Sequence, residues 1–458
     1  MSNAKQHAAE IVRTLRERGH QAYFAGGCVR DLLLGCEPAD FDVATDATPR
    51  QVMQIFPETL AVGEQFGVVL VPLQLDDRTV TGEDARRSTR ERAIEVATFR
   101  SDAGYSDGRH PDEVRFSKDP REDMQRRDFT INGMMLDPAT NEILDFVGGR
   151  DDLKAGIVRA IGEPERRFGE DKLRMLRAVR FAARFDYQID PATFAAIQKL
   201  APQIHQVSCE RVREELTRML TEGRARRAFE LLDTSGLLRE VLPEIAAMKG
   251  VEQSPQYHPE GDVFVHTLLL LEKLQAGCSV SVSKTLAWGA LLHDVGKPPT
   301  FRVAPDRIRF DGHVEVGVKM AAEICRRLRF SNYETDQILA LIDNHMRFAD
   351  VQRMKQSTLK RFLRLPAFEE HLELHRMDCL SSHGQLDSYD YSREQLRSLP
   401  PEAIRPAPLI TGRDLIEAGY EPGPRFKEIL AAIEDAQLEG RLTSREAAME
   451  SVLREFPA

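Results

Sequence analysis

The sequence predicts an α+β protein, in which a small mixed α/β part is followed by a long helical remainder. Short β-rich runs at Gly67 to Leu73, Ile94 to Phe99 and Ile143 to Phe146 alternate with helical patterns in the first third of the chain. After Asp145-Phe146-Val147-Gly148-Gly149 strand character nearly vanishes, which places a domain boundary near residue 150. A length of 458 residues allows several full-sized cores. There is no run of roughly 18 apolar residues and no apolar leader, so the expectation is a cytoplasmic protein that does not touch membranes. Cys28, Cys36, Cys209, Cys278, Cys325 and Cys379 include no Cys-x-x-Cys pair, which argues against a zinc ribbon or a disulfide framework. The net charge of -10 argues against coating nucleic acid by bulk charge but leaves room for a local basic groove.

Tyr23, Phe24 and Ala25 read as the end of a strand, Gly26-Gly27 as a sharp turn, and Val29 to Leu34 as a helix. A triphosphate can rest on such a helix start, with Arg30 beside it. Asp40 and Asp42 flank Phe41; at i and i+2 on a strand they leave one face together. Paired hard oxygen ligands suit Mg²⁺, and two such ions can activate an attacking hydroxyl and neutralise a leaving pyrophosphate. Thr48 caps a helix from Pro49 to Phe56. Asp76 to Arg92 is charged and without period, an exposed loop or hairpin extension. Glu95 stands among apolar neighbours, where it needs a cation, and with Asp40 and Asp42 would complete a three-carboxylate metal site or serve as a general base; the alternative is a solvent-facing residue on a strand edge. Ser101 to Arg115, with Gly104, Gly108 and Pro111, reads as a mobile loop that gates chemistry. In Gln125 to Met134, Arg126 and Arg127 offer forked donors to phosphate, Asp128 follows, and Asn132 reaches toward a sugar hydroxyl, just before a small apolar helix.

Gly26 to Asp31, Asp40-Phe41-Asp42, Ile94-Glu95-Val96-Ala97-Thr98-Phe99-Arg100 and Arg126 to Met134, in this order, resemble the class II tRNA nucleotidyltransferase and bacterial poly(A) polymerase family of the polymerase-β-like superfamily. Glu170 to Phe181 extends the likeness. Asp171 and Arg174 lie at i and i+3, so both project from one edge of a helix, where the bland reading is an intrahelical ion pair. The functional reading rests on polarity. A carboxylate accepts from the amine of cytosine or adenine while a guanidinium donates to the adjacent ring nitrogen; uracil and guanine present the opposite pattern. The resemblance implies this base-selecting role for Asp171 and Arg174, with Arg177 and Arg180 as phosphate or structural partners. A second arginine cluster, Arg211 to Arg227, reads either as RNA-backbone contact or as helix faces paired with Glu214, Glu215 and Glu222.

Farther on, His266, His293-Asp294 and Asp378 form an H…HD…D pattern of nitrogen and oxygen ligands for a divalent metal. With Tyr257 to Thr267 upstream, it looks like an HD-superfamily phosphohydrolase domain, and His313 and His345 offer a second metal or a phosphate contact. Together with Leu409 to Leu415 and Gly423-Pro424, the whole resembles bacterial HD-containing tRNA nucleotidyltransferases; Pro400 to Pro408 reads as the linker before this tail.

The resemblance implies a polymerase-β-like nucleotidyltransferase head at 1–148, a helical neck at 149–235, an HD body at 236–390 and a helical tail at 391–458. It further implies template-independent building or repair of a tRNA 3′-terminal CCA from CTP and ATP with Mg²⁺, and an HD site with a divalent ion that trims 3′ or cyclic phosphates. A poly(A) polymerase, a CC-only or A-only enzyme, and a phosphohydrolase whose head merely binds nucleotide stay open as alternatives. Gly63 to Gly67 leans toward the tRNA-directed members.

Overall fold

Ala22–Ala25 (β1) and Asp42–Thr45 (β2) pair antiparallel at the centre of a six-stranded sheet. Val68–Pro72 (β3) and Ala93–Thr98 (β4) lie on one side, with β2 and β4 parallel and β3 and β4 antiparallel. Arg100–Ala103 (β5) and Glu113–Phe116 (β6) make a separate antiparallel ribbon, and Met135–Leu136 (β7) and Ile143–Leu144 (β8) extend the main sheet beyond β1. This computed structural model describes residues 3–60, 67–72, 93–103, 113–256, 258–274 and 282–457, and the chain divides into compact units Met1–Pro243 and Glu244–Ala458. Gly63 to Phe66, the 76–92 insertion, most of the proposed gating loop, Tyr257 and Cys278 fall outside the described residues.

In the first unit the helix Asn3–Glu17 sends Ala8, Ile11, Val12 and Leu15 into the core at helical spacing. Phe24 and Phe41 meet edge to face at 5.4 Å, fixing the loop that leads into β2. Register then sets the chemistry: Ala25 pairs with Asp42 across β1 and β2, and Asp42 with Glu95 across β2 and β4. The glycine turn and two carboxylates therefore gather at one sheet end.

Four local expectations need correction. Asp40 precedes β2, which begins at Asp42, so a loop anchored by buried Phe41, not strand alternation, brings Asp40 to Asp42. Glu95 is exposed, because Ile94, Val96 and Thr98 take the buried face of β4, and β4 is flanked on both sides rather than an edge. Asp171 and Arg174 do not share a helix. One helix runs Pro164–Glu170, Asp171 is extended, and the next runs Leu173–Phe185; the Asp171 carboxylate accepts from the Leu173 N–H at 3.0 Å, a cap that ends one helix and starts another. In place of the small apolar helix after Arg127 stands a 3₁₀ turn, Thr130–Asn132. Leu173–Phe185, Cys209–Thr221 and Ala225–Thr234 complete a helical layer, Leu173–Phe185 burying Met175, Leu176, Val179 and Ala182.

The second unit is helical. Lys284–Leu292 buries every residue from Thr285 onward, so it is the core around which Val263–Lys273, Asn332–Asn344 and Phe368–Ser381 pack, and His313–Arg327 packs in turn on Asn332–Asn344. Close approach is made possible by Gly296, where a Cβ would press on the His313 carbonyl and lie 2.6 Å from the Gly317 nitrogen. Pro424–Leu438 and Arg445–Glu455 close a separate small core of Leu415, Ile429, Ile433 and Val452. Within the expected linker Pro401–Ile404 forms a short helix that buries Ile404. Among the described residues no helix is long and apolar enough to cross a membrane.

Candidate functional site

A cavity of about 510 Å³ in the first unit is lined by the glycine turn and by Asp40, Asp42, Arg127, Asp171 and Arg174. Gly26 has φ +76°, and a Cβ there would stand 2.8 Å from Arg127 Nη1 and 3.9 Å from Asp42 Oδ2. The left-handed backbone and the close Arg127 guanidinium both call for glycine here. Burial, then the negative charge of Glu95, push the Asp42 carboxyl up to about 6, Arg127 opposes them, and Asp40 adds a smaller push. Three carboxylates thus share one neighbourhood. Asp40 and Asp42 line the cavity and offer oxygen ligands for a divalent cation, whereas Glu95 is not part of its lining.

Around this cluster the arginines are already engaged. Buried Asp123 accepts from Arg126 Nε at 2.9 Å and from Arg127 Nη2 at 3.0 Å. Arg30 is buried, with its guanidinium 4.6 Å from the Phe185 ring centre; it donates to Asp31 at 2.8 Å and to Asn132 at 2.6 Å. Asn132 donates to Asp128 at 3.1 Å, and Arg177 Nε to the same carboxylate at 2.8 Å. Burial works to raise Asp128, but Arg177 and Asn132 outweigh it and hold the carboxyl down at about 2. Arg180 is buried against Glu215 at 2.7 Å and Glu222 at 3.3 Å. The residues expected to bind phosphate and sugar directly therefore form a prearranged network in the cavity wall.

Asp171 and Arg174 both reach the cavity, each clamped by a partner that sequence reading passed over. Arg211 makes a fork onto Asp171 at 3.2 and 2.7 Å, and Glu170 accepts from Arg174 Nη1 at 2.6 Å. The signal for Arg211 was its place in the second arginine cluster. Other members pair internally, Arg224 and Arg227 with Asp186 and Arg226 with Glu230. Asp123 and Glu170, one acidic residue before each pair of site residues, had no marker beyond proximity.

In the second unit His266, His293, Asp294 and Asp378 come together, and His313 and His345 join them. Asp294 Oδ2 faces His293 Nε2 at 3.1 Å and His266 Nε2 at 3.8 Å, while Oδ1 faces His313 at 3.8 Å and His345 at 3.9 Å. The Nδ1 atoms of His293, His313 and His345 lie 2.7–3.0 Å from the carbonyls of Ala290, Phe310 and Ile342. Carbonyls only accept, so each Nδ1 is the donor and each ring turns its Nε2 inward. His266 is oriented by Glu260 at 2.8 Å. All four Nε2 atoms are buried without a hydrogen-bond partner. Buried imidazole nitrogens converging on buried carboxylates offer the ligand types a divalent metal takes. His266 Nε2 is 3.1 Å from Asp378 Oδ1; burial would lower this imidazole, but Asp378 and Glu260 lift it to about 9. Lys297, also missed, places Nζ 2.7 Å from both Asp294 Oδ2 and Gln253 Oε1. A cavity of about 590 Å³ opens onto this cluster past His258, Arg307 and Arg309.

Known families match the same segments. Residues 22–159 match a family described as poly A polymerase head domain, 186–249 one described as probable RNA and SrmB-binding site of polymerase A, and 263–382 the HD domain. The CCA-adding enzyme of Levilactobacillus brevis is 30% identical over 446 residues, covering 96% of each chain, and that of Geobacillus stearothermophilus 41% identical over 241 residues, covering 53% of this chain and 55% of that one. Among solved structures, the Bacillus stearothermophilus CCA-adding enzyme in complex with CTP matches with a TM-score of 0.73 and 28% identity over 100% of both chains. Identity across nearly the full length, added to the carboxylates, the arginines and Asp171 that line one cavity, establishes that the chain belongs to the CCA-adding enzymes, tRNA nucleotidyltransferases.

Proposed function

We propose that the head adds CMP and AMP to the 3′ end of tRNA from CTP and ATP without a template, releasing pyrophosphate, and that Asp171 and Arg174 choose the base. The observation that carries this reading is the shared cavity, which Asp40 and Asp42 line together with the glycine turn, Asp171 and Arg174. Asp40 and Asp42 would hold Mg²⁺, with Glu95 assisting; the ion would neutralise the triphosphate and lower the barrier to attack by the terminal hydroxyl. Gly26 and Gly27 let the backbone approach the triphosphate, and Arg127, braced by Asp123, faces it. Arg30, Asp128, Asn132 and Arg177 keep the wall rigid, and Arg126 and Arg180 anchor its rim. A head at 1–148, neck at 149–235, HD body at 236–390 and tail at 391–458 is the division we propose, with the cytoplasm as its setting; Cys28, Cys325 and Cys379 are buried free thiols.

The test is incubation with tRNA lacking its CCA end, against an oligo(A) primer, with CTP and ATP supplied separately. Ordered incorporation of two C and one A only on tRNA supports the reading. Unlimited extension of any RNA with ATP alone would defeat it.

For the HD body we propose metal-dependent hydrolysis of a 3′ phosphate or 2′,3′-cyclic phosphate at an RNA end. The supporting observation is the inward-facing set of Nε2 atoms. His266, His293, Asp294 and Asp378 would hold one divalent ion, and His313 and His345 a second across the other Asp294 oxygen. Metal-free protein titrated with Ni²⁺, Mn²⁺ or Mg²⁺ and assayed on 2′,3′-cyclic nucleotides checks it; no turnover with any ion would end this reading.

A further inference from the structure

The hydrogen-bond capacity left over at Asp171 and Arg174 is small. A carboxylate offers about four acceptor positions. Asp171 Oδ1 accepts from the Leu173 N–H at 3.0 Å and Arg211 Nη1 at 3.2 Å, and Oδ2 accepts from Arg211 Nη2 at 2.7 Å. Beyond these bonds one acceptor position remains, on Oδ2, which suits a single exocyclic amine. Arg174 Nη1 spends both hydrogens, on Glu170 Oε2 at 2.6 Å and the Arg167 carbonyl at 2.8 Å, and Nη2 makes a long contact of 3.4 Å to the Arg126 carbonyl. Beyond these bonds Nε–H and one Nη2 hydrogen remain to meet ring acceptors.

We infer that Arg211 is a positioning residue for nucleotide specificity: its fork fixes Asp171 so that one lone pair, and no donor, faces the incoming base. The inference rests on the base-selecting reading of Asp171 and deepens it. A carbonyl base such as uracil or guanine is rejected only if the carboxylate cannot turn away, since an acceptor facing an acceptor costs free energy and a free side chain relieves it by rotating. Asp171 has an extended backbone between two helices, so helix packing does not hold its side chain; the capping bond and the fork do. Arg211 sits in the first turn of Cys209–Thr221 and arrives from 40 residues away, tying selection to the packing of that helix on Leu173–Phe185. Lysine cannot replace it, because a point charge does not fork onto two oxygens.

The experiment measures kcat and KM separately for CTP, UTP, ATP and GTP in the full-length protein and in Arg211→Ala, Arg211→Lys and Asp171→Ala, with thermal unfolding alongside. Both Arg211 variants are expected to lose about tenfold or more of the CTP-over-UTP and ATP-over-GTP preference, chiefly through better use of the wrong nucleotide. Arg211→Lys is expected to keep its unfolding temperature, so a loss of preference there is not a loss of fold. An even loss with all four nucleotides, or unchanged preference in Arg211→Lys, would overturn the inference. Asp171→Ala separates the two levels: if it leaves preference unchanged, base selection by Asp171 fails; if it relaxes preference while Arg211→Lys does not, only the role of Arg211 falls.

Discussion

The carboxylate cluster of the head and the histidine cluster of the helical unit handle charge in opposite ways. At Asp42, burial and two neighbouring carboxylates push toward the protonated form, with Arg127 as the counterweight. At Asp294, burial is overcome by His293, Lys297 and His266, and the carboxyl falls well below its ordinary range. One site is left short of positive charge at the mouth of a cavity; the other is compensated from within. The difference matches two kinds of chemistry. Mg²⁺ is bound through a few carboxylates together with substrate phosphates, whereas imidazole-rich cages retain divalent transition ions.

Breaking the comparison at its first pole should have the largest effect. Asp42→Ala is expected to reduce CMP incorporation by about 10³-fold or more, equivalent to about 4 kcal/mol of barrier, while leaving hydrolysis of cyclic phosphates intact; single-turnover gel assays on CCA-less tRNA measure it. The mirror experiment is Asp294→Ala, expected to lower hydrolysis by about 10²-fold and reduce bound metal measured by atomic spectroscopy, with incorporation within about twofold of the parent. If either variant damages both activities alike, the two sites are not chemically separate.

Packing gives a third test. Gly296→Ala drives a methyl group into the His313 and Gly317 backbone and should cost about 1–3 kcal/mol, read as a lower unfolding temperature and weaker metal retention. The fourth follows from Asp42, whose folded value of about 6 exceeds its ordinary 3.8. A divalent ion held there, as proposed, must compete with a proton, so its apparent affinity should fall by up to about tenfold per pH unit below about 6. For the metal-free protein the sign reverses: the protonated carboxyl is the favoured form in the fold, so stability is greatest below pH 3.8 in this group's contribution and declines as pH rises through about 6. Thermal melts with and without Mg²⁺ across this range would show both trends. Smallest is Ser444→Ala, which removes the cap on the Ala447 N–H and should cost about 1 kcal/mol without touching either activity.

Local motifs were legible because their chemistry depends on adjacent residues. The glycine turn needed only Gly26-Gly27 between a strand and a helix, and the α+β division followed from where strand periodicity stops. The H…HD…D set of His266, His293, Asp294 and Asp378 was also visible from residue type and order. Misreadings arose where a residue's face depends on register. Glu95 reads as buried from its apolar neighbours, yet strand alternation turns it outward. Glu170-Asp171-Lys172 reads as continuous helix, and the capping power of an aspartate, visible in principle, was hidden by its charged neighbours. Arg211, Asp123 and Lys297 act through contacts that only folding supplies.

The stacking of Arg30 on Phe185 sets a limit for anyone who trims this enzyme. Phe185 lies well past the glycine boundary that ends the strand-rich region, and Arg177 reaches back from the same helix to Asp128. A fragment stopping at residue 148 would strip an aromatic lid from one buried cation and a counter-ion from one buried carboxylate. The compact unit that holds these contacts runs to Pro243, so a fragment meant to keep the strand-rich head and the Leu173–Phe185 helix working together should be cut there rather than at 148.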